Sequence, residues 1–108
     1  MNPFATSKIL NFANDVEYSS GGIVSKRVLE KSTGNVSLFA FDKGQKLSEH
    51  SAPFDALVQV LEGDAEIIIN KEPFQLHAGQ SIIMPANVPH AVHATGQFKM
   101  LLTMIKGQ

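Results

Sequence analysis

The chain has 108 residues, 44% hydrophobic and 18% charged, with nine Lys and Arg against ten Asp and Glu and no cysteine. That leaves room for one compact domain with one core, composed as a soluble globular chain. The dispersed, nearly neutral charge excludes a nucleic-acid or anionic-membrane footprint, and the lack of thiols excludes disulfides, thiolate metal sites and cysteine nucleophiles.

The N-terminal MNPFATSKIL lacks a basic head followed by an apolar run, and no stretch of about 20 apolar residues follows, so neither an export signal nor a membrane span is expected. The expected location is the cytoplasm. Residues 1–21 read as an N-terminal segment, a possible edge strand or dimer arm, with Lys8 to Phe12 as either an extra strand or a helical turn. Residues 22–108 read as one β barrel. Short runs rich in Val, Ile, Phe and Leu recur between Gly, Pro, Asn and Asp breaks, and no helical period persists. Strands are predicted at Gly22 to Glu30, Val36 to Asp42, Lys46 to His50, Ala56 to Glu62 and Asp64 to Asn70. Four more follow at Pro73 to Leu76, Ser81 to Met84, His90 to Thr95 and Phe98 to Ile105. Glu62-Gly63-Asp64, Asn70-Lys71-Glu72 and Ala78-Gly79-Gln80 read as turns. Regularly spaced short strands indicate an all-β sandwich or a small closed barrel, which removes exposed edges.

Two strands, Ala56 to Leu61 and Lys99 to Ile105, are apolar on both alternating faces. Once the barrel interior covers one face, the outer Leu57, Leu61, Leu101 and Ile105 need another cover. A second subunit across a two-fold axis is the expected cover, so a homodimer is expected; the alternative is that Phe4, Ile9 and Phe12 fold over the same face.

Gly44, His50 and Gly63, with Val60-Leu61-Glu62-Gly63 ending the stretch, and then Gly79, Pro85 and His90, stand at the spacing of two known motifs. At these residues the chain resembles a small single-domain cupin of the conserved-barrel, RmlC-like type. The resemblance covers residues 44 to about 94 and implies a double-stranded β-helix, the jelly-roll barrel. It also implies a metal site, but with departures. Ala52 stands where the family has its second His, Ala56 where it has Glu, Asn87 where it has Gly, and Ala94 where it has Asn. Half of the implied metal ligands are therefore missing.

Residues two apart on a strand face the same side, so positions 50 and 52 both look inward, and a strand of the second motif can bring His90 opposite His50. The expected pocket is lined by His50, Ala52, Ala56, Val58, Met84 and His90, with two imidazoles as anchors in a mostly apolar wall. If a metal binds, His50 and His90 are the expected ligands, for Fe, Mn, Ni, Cu or Zn, held weakly by so incomplete a set. A bulge near Pro53-Phe54-Asp55 would let Asp55 or Gln59 swing inward as a replacement. His77 and His93 are expected on the surface. Met84, Met100 and Met104 suggest copper by their soft thioethers, but their apolar strand contexts read as core or pocket lining. The prolines of Pro85-Ala86-Asn87-Val88-Pro89 would hold His90 at a fixed point, and Tyr18 would act at the site only if the N-terminal segment reaches its mouth.

The leading expectation is a small-molecule-binding barrel with a weak or absent metal site. Against it stands an enzyme in which His50 and His90 are the candidate catalytic residues. The resemblance implies metal-dependent dioxygenases, isomerases or decarboxylases, or metal-free epimerases that use His as a base. A metabolite-sensing module for a partner protein is the third possibility.

Overall fold

The computed structural model describes residues 4–106, which hold eight strands and one 3₁₀ turn at Phe12–Asn14. The strands are β1 (Ile23–Lys31), β2 (Gly34–Phe41), β3 (Lys46–His50), β4 (Phe54–Ile69), β5 (Glu72–His77), β6 (Ser81–Met84), β7 (His90–His93) and β8 (Phe98–Lys106). Every pairing is antiparallel. No helix among the described residues is long and apolar enough to cross a membrane.

β4 belongs to both layers of the barrel. Its first part pairs with β8 and β6, and β2 and β1 continue that sheet beyond β8. Its second part, from Asp64, pairs with β5 and β7, and β3 continues the second sheet. The inner faces share one core. Val58, Val60 and Phe98 from the first sheet and Ala65, Ile67 and Val92 from the second are all buried in it. Phe41 stacks on Phe98 with ring centroids 4.5 Å apart, an aromatic contact adding about 0.5–1.5 kcal/mol beyond its burial. The architecture is the all-β double-stranded β-helix, a jelly roll.

The turn expected at Glu62-Gly63-Asp64 does not form, and the two strands expected around it are halves of one strand of 16 residues. The reason lies in Gly63. With φ at 82° it bends the strand from one sheet into the other without breaking the ladder, and a Cβ there would strike the Gln97 carbonyl oxygen and the Phe98 Cα. A register shift between Val60 and Glu62 adds to the bend. Glycine was legible as a break in regular backbone, but close approach of β8, not reversal of the chain, is what requires it.

The N-terminal segment forms no strand within residues 4–21, so the edge strand suggested for Lys8 to Phe12 is absent; only Phe12 enters the 3₁₀ turn. Instead the segment lies over the outside of the first sheet. Val16 is buried there with Val28, Leu38 and Ala40, and Phe4, Phe12, Tyr18, Leu61 and Leu101 pack against them. Polar ties hold it down. Lys26 Nζ donates to the Asp15 carbonyl at 2.7 Å, Lys99 Nζ donates to the Ala13 carbonyl, and the Tyr18 hydroxyl donates to Glu62 Oε2 at 2.6 Å. Part of the outer apolar face is thus covered within the chain, while Ile105 remains 64% exposed.

Replacing Gly63 by Ala should combine a left-handed backbone cost of about 1–2 kcal/mol with roughly 1–3 kcal/mol of forced displacement of β8. Urea unfolding should therefore show a loss of about 2–5 kcal/mol; a variant as stable as the parent would contradict this account of the bend.

Candidate functional site

A cavity of about 190 Å³ lies between the two sheets. The first sheet contributes Phe54 and Ala56 from β4, Met84 from β6, and Met100, Leu102 and Met104 from β8. The second sheet contributes Leu47 and His50 from β3 and His90 and Val92 from β7, while Ala52 lines it from the connection between β3 and β4. His50 and His90 are the only polar side chains in this lining.

Of the six residues expected in the pocket, His50, Ala52, Ala56, Met84 and His90 line the cavity and Val58 does not. Val58 shares the inward parity of Ala56, but it is fully buried in the core. Phe54, Val92 and Leu102 lie outside the expected set, whereas Met100 and Met104 were expected as core or pocket lining and do line the cavity. Phe54 could have been read from its parity with Ala52 and Ala56; on β8 both faces are apolar, so the sequence does not say which one turns inward. Leu47 has the opposite parity to His50. Both face the cavity because the β3–β7 ladder shifts register between them.

His50 and His90 sit directly opposite each other at the end of that ladder. Their Nε2 atoms are 3.2 Å apart, with ring centroids at 4.4 Å and planes crossing at 71°. His90 is buried and His50 is exposed, so the pair stands where the cavity meets solvent. The loop before His90 is pinned at three points. Ala86 N–H donates to Asp55 Oδ1 at 2.9 Å, Asn87 N–H to the Ala52 carbonyl at 2.7 Å, and Asn70 N–H to the Pro89 carbonyl at 2.8 Å. Asn87 has φ of 64°, a left-handed conformation that Gly adopts freely and Asn tolerates better than most residues, which accounts for Asn at this turn.

The far nitrogens fix the chemistry of the near ones. His50 Nδ1 lies 2.7 Å from the Ser48 carbonyl oxygen and His90 Nδ1 lies 3.3 Å from that of Val88. A carbonyl oxygen only accepts, so these two contacts assign the hydrogen to each Nδ1, and with that assignment each Nε2 of the neutral rings presents a bare lone pair. Two lone pairs then face each other across 3.2 Å, an arrangement that favours a donor or a cation beside them. His90 is held below its ordinary pKa, first by burial and then by repulsion from His50, with the Val88 carbonyl opposing.

The other candidates lie elsewhere. Asp55 is exposed and caps the Ala86 amide, and neither it nor Gln59 lines the cavity, so the suggested inward swing does not occur. His77 is exposed and pairs with Asp64, and His93 contacts Glu66 at 3.4 Å. Tyr18 does not line the cavity: it packs under the N-terminal segment, where burial and the Glu62 carboxylate raise its pKa. Among the described residues, no three His, Asp or Glu side chains cluster where they could hold a metal ion.

A jelly roll enclosing such a cavity is the architecture of the cupins. The family model for the cupin domain matches residues 37–106, and the chain belongs to the cupin family. It is similar to a conserved protein of unknown function from Streptococcus pyogenes, with 36% identity and a TM-score of 0.91 over 96% of this chain and 91% of that one. A cupin 2 conserved barrel domain protein from Leptotrichia buccalis shares 45% identity with a TM-score of 0.88 over 90% of this chain, which spans 47% of that one. A salicylate 1,2-dioxygenase from Pseudaminobacter salicylatoxidans has the same fold, with a TM-score of 0.73 and 20% identity over 79% of this chain and 26% of that one. No curated protein matches the chain.

Proposed function

We propose that the barrel is a small-molecule-binding cupin whose ligand is a compact, mostly apolar molecule carrying one hydrogen-bond donor. The observation that carries this reading is the lining, in which apolar side chains surround two imidazoles with converging Nε2 atoms. At about 190 Å³ the cavity suits roughly one ring. An apolar cavity of about 150 Å³ holds benzene, whereas drug-sized ligands need about 300 Å³ or more. A hydroxyl placed in the cavity beside the pair would donate to one of the two lone pairs.

The alternative, a metal-dependent cupin enzyme of dioxygenase, isomerase or decarboxylase type, would place a divalent ion on His50 and His90. The donors argue against it. Two neutral imidazoles leave most of a divalent ion's coordination sphere open, and no carboxylate in the lining offsets its charge.

Phenol is a suitable probe, with an apolar ring and one donor. In EDTA-treated protein, NMR titration should shift the His50 and His90 ring signals saturably, and Ala56→Leu, which fills the cavity, should abolish the effect while the barrel stays folded. Protonation of an imidazole consumes the lone pair that the hydroxyl needs, while phenol stays neutral below about pH 10. Affinity should therefore fall as pH drops from about 8 to about 5, with His90 protonating late because burial holds its pKa down. Binding that is flat across this range, or undiminished in Ala56→Leu, would sink the reading.

The proposed partner is a second copy of the chain. On the outside of the first sheet, register places Ile83, Leu57, Thr103, Val36 and Leu29 side by side on five successive strands, a strip about 19 Å wide at normal strand spacing. Ile83 is 63% exposed and Leu29 51%, and Ile105 lies beside the strip on β8. Light scattering should give a dimer for the native chain and a folded monomer for Ile83→Asp/Ile105→Asp. A monomeric native chain would contradict the proposal.

A further inference from the structure

We infer that Lys106 forms an anion subsite at the rim of the cavity, so that the ligand is a hydroxy acid, a compact apolar body whose hydroxyl and carboxylate share one end. The inference rests on the cavity being a binding site and adds the charge and the polarity pattern of the molecule it takes.

Lys106 is the last inward-facing position of β8. Met100, Leu102 and Met104 line the cavity from that strand. The pleat carries the same face on to Lys106, one step beyond Met104 and just outside the lining itself. Register agrees. The β4 partners of Met100, Leu102, Met104 and Lys106 are Val60, Val58, Ala56 and Phe54, a double row that runs from enclosed core to a half-buried end at Phe54 and Lys106.

This end of the row is also the histidine end. Only Ser51-Ala52-Pro53 joins His50 to Phe54, and His50, Ala52 and Phe54 all line the cavity. Lys106 Nζ lies over the Phe54 ring, 5.5 Å from its centroid, within reach of a cation–π contact. Backbone holds the residue in place, since its N–H donates to the Thr33 carbonyl at 2.9 Å. The imidazoles thus stand on the second sheet and the ammonium on the first.

No carboxylate pairs with this ammonium among the described residues, whose ion pairs join other groups. The acids beside His50 and Phe54 in sequence are committed elsewhere. Glu49 pairs with Lys71 at 3.1 Å, and Asp55 Oδ1 accepts from the Ala86 N–H. An uncompensated positive charge beside an apolar cavity with no acid in its lining favours an anionic headgroup, and one ammonium matches one carboxylate. The neutral imidazoles do not serve that group, because their Nε2 atoms only accept; they take the hydroxyl. Both anchors lie at the mouth while the interior is apolar, so the ligand carries both polar groups at one end.

Mandelate, a phenyl ring with hydroxyl and carboxylate on one carbon, and its neutral counterpart mandelamide are the probes. Calorimetric titration of EDTA-treated protein at about pH 7.5 keeps the carboxylate ionised and ordinary imidazoles mostly neutral. Mandelate should bind about fivefold or more tighter than mandelamide at low salt, and the gap should close at about 0.5 M salt, where a rim ion pair is screened. Within Lys106→Met the ratio should fall to about one, and Lys106→Arg should restore it. Ala56→Leu should abolish binding of both. Equal affinities in the native protein, a preference that survives in Lys106→Met, or mandelate binding that survives in Ala56→Leu would overturn the inference. If phenol binds and mandelate shows no advantage over mandelamide, the subsite fails and the small-molecule reading stands. If phenol, mandelate and mandelamide all fail to bind, both fall.

Discussion

The character of this barrel's interior depends on two lone pairs aimed at each other. Backbone carbonyls of Ser48 and Val88 fix the hydrogens of His50 and His90 on the far side of each ring, so the near nitrogens meet bare at 3.2 Å. Neither ring relieves the other while both are neutral. Whatever enters the cavity is selected for supplying a donor or a positive charge at that point, and the surrounding wall selects for small and apolar.

The fold makes this contact through one long strand. β4 runs through both sheets by bending at Gly63, so its first half contributes Phe54 and Ala56 to the cavity wall while its second half pairs with β7, which carries His90. β7 in turn pairs with β3 and sets His90 opposite His50. The loop from Pro85 to Pro89 gains three backbone tethers, including one from Asp55, which serves as a structural cap and not as a ligand. The Ala at positions 52 and 56 leaves room that larger polar side chains would fill.

Much of this was legible beforehand, for physical reasons that differ by residue. Alternation and turn chemistry located Lys46–His50 and Ser81–Met84 at the bounds observed. The inward parity of Ala52, Ala56 and Met84 followed from the pleat, but parity along a strand does not tell how deep a residue lies, so Val58 was placed in the pocket when it belongs to the core. Leu47 was hidden by a register shift, a property of the pairing of two strands that neither strand carries alone. Gly63 looked like a turn because its requirement for positive φ is visible in sequence and the approach of β8 is not. Met84, Met100 and Met104 were each legible as apolar lining; that they share one cavity with both histidines depends on which sheets face each other.

The direct measurement of the central claim is the tautomeric state of the two rings. In ¹⁵N-labelled, EDTA-treated protein at about pH 8, above the ordinary histidine range, two-bond ¹H–¹⁵N correlation distinguishes protonated from bare ring nitrogens. The account predicts Nδ1–H with an unprotonated Nε2 in both His50 and His90. A hydrogen found on Nε2 of either ring would mean that the pair is already satisfied by its own hydrogen bond, and would contradict a cavity built to receive a donor or a cation.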